Sequence, residues 1–128
     1  MKIAAAVARY LLGLMFLVFG LNSILHFIPT GPMPAGQAGQ FATLLNDTHY
    51  FYAVGLVMVV SAILFLVNRY VPLALVLLGP VLVNILLFHI FMAPKSIGTG
   101  VVATILWFLV FLRVRSAFAG LFQSRVQE

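Results

Sequence analysis

Four long apolar runs divide the chain, and the breaks between them are polar or proline-bearing. The first covers residues 3–28 and is interrupted only by Arg9, Asn22, Ser23 and His26. The second, Tyr50–Val67, opens on Tyr50, Phe51 and Tyr52, an aromatic cluster of the kind found where helices meet the headgroup layer. The third, residues 71–93, has no formally charged side chain yet contains Asn84 and His89. The fourth, residues 98–112, is stopped by Arg113 and Arg115. Crossing a bilayer core takes about 20 apolar residues. Each run therefore predicts a spanning helix, the fourth short enough that Lys95 and Arg113 must reach toward the interfaces. Asn68, Arg69 and Tyr70 leave room only for a tight turn, so the second and third helices are antiparallel neighbours. The pattern predicts an all-α membrane protein, a four-helix transmembrane bundle with one longer extracytoplasmic loop.

The faces of these helices differ. Ala6, Gly13 and Gly20 recur every seven residues with Arg9 on the same stripe, and small residues let helix backbones approach closely in lipid. Asn22 and His26 share another face, being one turn apart. Pro80 removes a backbone donor inside the third helix and is expected to kink it, with Asn84 one turn further on. Gly100, Thr104 and Trp107 share a face of the fourth. In the loop of residues 29–49, Pro29, Pro32 and Pro34 forbid a continuous helix, residues 40–45 suit a short surface helix, and Asn46, Asp47 and Thr48 suit the cap of the next. Ser96 suits the cap of the fourth span. Past Arg115, the apolar positions Phe118, Leu121, Phe122 and Val126 oppose Gln123 and Arg125, which fits an interfacial helix or a frayed end.

Composition supports lipid as the solvent. Of 128 residues, 64% are hydrophobic and 7% charged, against about 25% charged in soluble chains. The absence of cysteine excludes disulfides, thiol relays and thiolate metal sites. A signal peptide has an apolar core of about 7–15 residues and a small-residue cleavage site; the first run is longer and meets Pro29 instead, so it reads as a retained span. The charge of +5 belongs to membrane orientation and not to nucleic acid. Lys2, Arg9, Arg69, Arg113, Arg115 and Arg125 fall at one side of a four-span thread and Lys95 alone at the other, which places both termini in the cytoplasm. His26, His49 and His89 then come to one depth near the outer surface, with Asn22, Asp47 and Asn84.

Residues 8–29 and 68–94 resemble the two signature stretches of the DoxX family of small four-span bacterial membrane proteins. The matching positions include Gly13, Gly20, Asn22, His26, Asn68, Arg69, Pro72, Pro80, Asn84, His89 and Pro94. Many relatives are expected to carry an acidic residue in the second span where this chain has Met58, which removes a carboxylate partner for histidine or arginine. The resemblance implies a multi-pass protein of the bacterial inner membrane and an accessory or scaffold subunit of a quinone-linked redox complex.

Asn22, His26, Asn84 and His89 form the candidate ligand-binding or interhelical polar cluster, with His49, Asp47, Asn68 and Arg69 as further candidates. One outcome is hydrogen bonding that fixes how the first and third spans pack. The other is a site for a quinone or another small lipid-like molecule, with Phe19, Phe88 and Phe91 as apolar walls. Haem between His26 and His89 ranks lower because the spacing is not diagnostic, and a metal on three histidines because carboxylates that would orient such ligands are lacking. No catalytic residue is identified, since Ser23, Ser61 and Thr104 have no histidine–carboxylate partnership. The expected partners are the lipid bilayer, a redox-complex subunit or a second copy of the chain. Alkaline phosphatase joined after Glu128 should be inactive and phosphatase inserted in the loop of residues 29–49 active; periplasmic activity after Glu128 would reverse the orientation.

Overall fold

The computed structural model describes residues 2–27 and 35–125. Along the chain run α1 (Lys2–Leu25), α2 (Gln37–Asp47), α3 (Tyr50–Val67), α4 (Val71–Met92), a 3₁₀ turn (Pro94–Ser96), α5 (Gly98–Val114) and a 3₁₀ tail (Arg115–Phe122). No strand occurs among the described residues. The expected proline-rich break at Pro29, Pro32 and Pro34, the expected end of the first span at Ile28 and the tail position Val126 lie outside them. Four helices are long and apolar enough to cross a membrane, α5 doing so together with its tail. The 18 residues of α3 rise about 27 Å and the 22 of α4 about 33 Å, against a hydrocarbon core of about 30 Å. The chain is an all-α, multi-pass membrane protein folded as a four-helix bundle.

The four helices form a ring. α1 packs on α3 and α5, and α4 packs on the same two, so α1 and α4 stand at opposite corners. The short helix α2 lies at one end, against α3 and α4. At the other end sit Arg9, Arg69, Arg113 and Arg115. Those ends are called here the α2 end and the arginine end.

The closest approach in the ring is between α1 and α3, and glycine makes it. A Cβ on Gly20 would come within 2.9 Å of the Gly55 carbonyl oxygen, and a Cβ on Gly55 within 2.9 Å of the Gly20 carbonyl oxygen. Real Cβ atoms do not come that close to backbone, so the two helices touch main chain to main chain at this level. Gly13 lies two turns nearer the arginine end, where a Cβ would meet the Leu66 side chain at 2.9 Å. The glycines of the expected stripe therefore do face a neighbour, and the neighbour is α3. Arg9, on the same stripe, donates from its guanidinium to the Phe65 carbonyl in the last turn of α3. That carbonyl belongs to the end of a helix, where partners run out and partial negative charge collects, so a cation is well placed there. Its guanidinium also stacks over the Tyr10 ring at 4.3 Å.

Packing is polarised along the bundle axis. Leu12 and Phe16 of α1, Phe65 of α3, and Leu75 and Leu78 of α4 are fully buried, all in the half nearer the arginine end. Phe118 from the 3₁₀ tail closes this core from below and meets Phe111 with ring centroids 5.1 Å apart. The tail is thus anchored at one residue, while Leu121 and Phe122 stay 69% and 83% exposed. Toward the α2 end the picture changes. No residue of α4 beyond Leu82 is buried, and before Met58 the only buried residue of α3 is Gly55. There, large side chains do not interlock across the ring.

The α3–α4 turn shows how three residues reverse the chain. Asn68 adopts φ 55° and Tyr70 φ 54°, a left-handed conformation in which asparagine is well tolerated. The amide of Asn68 donates to the Phe65 carbonyl at 3.3 Å and that of Arg69 to the Leu64 carbonyl at 3.1 Å, a Schellman closure of α3. Two expected caps serve elsewhere. Thr48 does not cap α3; its hydroxyl donates back to the Leu44 carbonyl at 2.7 Å and finishes α2. Ser96 donates to the Ala93 carbonyl at 3.2 Å and closes the 3₁₀ turn, leaving α5 to begin after Ile97 without a side-chain cap.

Helix propensity alone favours alanine over glycine by about 1 kcal/mol. At the α1–α3 seam the overpacking cost of about 1–3 kcal/mol opposes it, because the obstructing atom is a backbone oxygen that cannot rotate away. Gly20→Ala should lower unfolding stability in micelles, whereas Gly98→Ala, with nothing within 4 Å of the added Cβ, should be neutral or stabilising.

Candidate functional site

The loosened packing at the α2 end leaves a cleft of about 650 Å³ between α2, α3 and α4. α2 supplies Phe41, Ala42 and Leu45; α3 supplies the wall from Tyr50 to Met58; α4 supplies the wall from Pro80 to Met92. Because α3 and α4 are antiparallel, Tyr50 and Met92 lie at the mouth and Met58 and Pro80 at the floor, near mid-bundle. The floor is where the interlocked core begins. Pro80 has no N–H, so the Val76 carbonyl loses its helical donor there, although α4 continues as helix through the proline. Phe41 and Phe88 approach with ring centroids 5.6 Å apart, which pins α2 to α4.

Two polar side chains of α4 line this apolar cleft, Asn84 and His89. They are five residues apart, about 7.5 Å along the axis. Each makes one hydrogen bond within its own helix. Asn84 Nδ2 donates to the Pro80 carbonyl at 2.9 Å. His89 Nδ1 pairs with the Ile85 carbonyl at 2.7 Å, and since a carbonyl only accepts, Nδ1 carries the proton. With the proton of an uncharged ring on Nδ1, Nε2 is an acceptor. No buried side-chain nitrogen or oxygen among the described residues lacks a partner, so the half-buried His89 keeps Nε2 accessible. The Phe88 ring stands edge-on to His89 at 5.2 Å.

The other candidates fall elsewhere. Asn22 is half-buried on α1, and its carbonyl accepts from the His26 amide at 2.8 Å as α1 ends. Neither Asn22 nor His26 lines the cleft, and Phe19 packs edge-on against Phe16 on α1 at 6.1 Å. Phe88 and Phe91 do line it. His26 and His49 instead flank Tyr52: His49 stacks on the ring at 4.9 Å and His26 meets it at 6.3 Å. Both histidines have positive φ, 53° and 61°. Asp47 ends α2, exposed at the same end of the bundle. Asn68 and Arg69 form the turn at the opposite end, away from all of these. Among the described residues no three histidine, aspartate or glutamate side chains come together in a way that could hold a metal ion.

Side-chain hydrogen bonds from other residues cross between helices. Besides Arg9 to Phe65, the indole of Trp107 donates to the Leu75 carbonyl at 3.1 Å, joining α5 to α4 beside Gly79. The sequence carried signals for both, since Arg9 shares the glycine stripe and Trp107 shares the face of Gly100 and Thr104. Met58, at the cleft floor, takes the place where a carboxylate was expected in relatives, so the floor is apolar.

Comparison of the chain with family models, curated proteins and solved structures finds no match. Asn84 bonds within α4 and holds no neighbouring helix, so Asn84→Leu should change stability by no more than about 0.5 kcal/mol. Trp107→Phe removes an interhelical bond and should cost about 1 kcal/mol. Reversible unfolding of both variants in micelles checks the contrast, and a larger cost for Asn84→Leu would make it a packing residue.

Proposed function

We propose that this membrane protein binds a small lipid-like molecule in the cleft between α2, α3 and α4, with Asn84 and His89 as its polar contacts. The observation that carries this is a cavity of about 650 Å³ with apolar walls into which Asn84, His89 and the Tyr50 phenol bring polar groups, within the range of about 300–1,000 Å³ typical of small-molecule sites. Polar side chains toward lipid are costly unless something meets their hydrogen-bonding needs, and Asn84 and His89 sit where a ligand can do so. The ligand enters from the α2 end, with its apolar part against Met58, Val54 and Val81.

The excess of basic residues at the arginine end supports an orientation with both termini in the cytoplasm and the cleft in the outer leaflet of a bacterial inner membrane. A role as accessory subunit of a quinone-linked complex rests on the resemblance to DoxX proteins; a quinone in its reduced, hydroxyl-bearing form would belong to the class of ligand proposed. Native mass spectrometry of the purified chain should reveal a retained small molecule. Ala42→Trp, which fills the cleft from α2, should release it, and Leu73→Trp on the exposed face of α4 near the arginine end should not. Equal retention in both variants would remove the cleft as the site.

A further inference from the structure

From the hydrogen-bonding inventory of the cleft we infer that its ligand is an uncharged lipid whose head carries a hydroxyl group, donated to His89 Nε2. This rests on the cleft being the binding site and adds the chemistry that selects the occupant. None of the residues lining the cleft is aspartate, glutamate, lysine or arginine. The nearest charges on its bordering elements are Asp47 at the end of α2 and Lys95 in the 3₁₀ turn after α4; both are exposed and neither lines the cleft. A phosphate or carboxylate head would find no cation, and an ammonium head no carboxylate. Desolvating either without a partner costs several kcal/mol.

Among the neutral groups, Tyr50 at the mouth and Asn84 can each donate or accept, so the selection falls on His89. With Nδ1 committed to Ile85, His89 offers only a lone pair to the cleft. An ether, ester or ketone oxygen also offers only lone pairs, so it cannot satisfy His89; a hydroxyl can. Asn84 keeps its amide oxygen and one N–H after bonding Pro80, and so can take either a donor or an acceptor about one and a half turns deeper. His89 lies toward the mouth and Met58 at the floor, so the hydroxyl sits near the headgroup layer and the chain of the lipid points to mid-bundle.

The test uses the full chain in phosphatidylcholine nanodiscs, titrated with 1-hexadecanol, hexadecyl methyl ether or palmitate, with bound copies counted by native mass spectrometry. The alcohol should bind about tenfold more tightly than the ether, the factor that one neutral hydrogen bond supplies, and palmitate no more tightly than the ether. His89→Leu should reduce the alcohol to the level of the ether and leave the ether unchanged, while His89→Gln, which restores an acceptor, should recover part of the preference. Equal binding of alcohol and ether, tighter binding of palmitate, or a preference that survives His89→Leu would overturn the hydroxyl assignment. If Ala42→Trp and Leu87→Trp still abolish binding in those cases, the cleft stands as the site for a ligand of other chemistry. Binding indifferent to both tryptophans would overturn the cleft itself.

Discussion

Two glycines in backbone contact set the shape of this bundle. In lipid there is little hydrophobic gain from bringing helices together, so association depends on how closely their surfaces fit. Gly20 and Gly55 allow α1 and α3 to meet with no side chain between them, each excluding a Cβ at the other. Arg9 secures the same pair at the arginine end by donating to the terminal turn of α3. α3 is thereby fixed to α1 along its whole length, and α4 must make its contacts with what remains of the α3 surface.

The consequence is a bundle with two unlike halves. Near the arginine end, Leu12, Phe16, Phe65, Leu75 and Leu78 fill the interior completely. Near the α2 end the buried residues are small, Gly20, Gly55, Gly100 and Ala103 among them, and α4 buries nothing past Leu82. α2 partly covers the resulting opening through Phe41. The cleft is thus a product of where interlocking stops, and Asn84 and His89 acquire their setting from it. Their own hydrogen bonds run back along α4, so they hold up little of the fold and are available to a ligand.

Much of this was legible in the pattern of apolar runs. α3 begins and ends where the hydropathy pattern placed the second span, and Tyr50, Phe51 and Tyr52 open it. The glycine stripe of α1 announced a close neighbour, though a period of seven residues cannot say which helix it meets. What a one-dimensional pattern could not convey was the ring order. With α1 and α4 at opposite corners, Asn22 and His26 do not line the cleft that holds Asn84 and His89, although all four lie toward the same end of the bundle. Sequence depth was informative; azimuth depended on which helices pair. Likewise, a threonine or serine before a helix reads as a cap, but whether it turns forward or back, as Thr48 and Ser96 do, depends on which carbonyls lie unpaired nearby.

The contact that fixes all of this can be observed directly. In a perdeuterated sample carrying protonated glycine, nuclear Overhauser spectroscopy in micelles should show a cross-peak between the Hα protons of Gly20 and Gly55. Its presence places the two backbones against each other. Well-resolved glycine signals with no such cross-peak would mean that a layer of side chains separates α1 from α3, and the division of the bundle into a filled half and an open half would lose its cause.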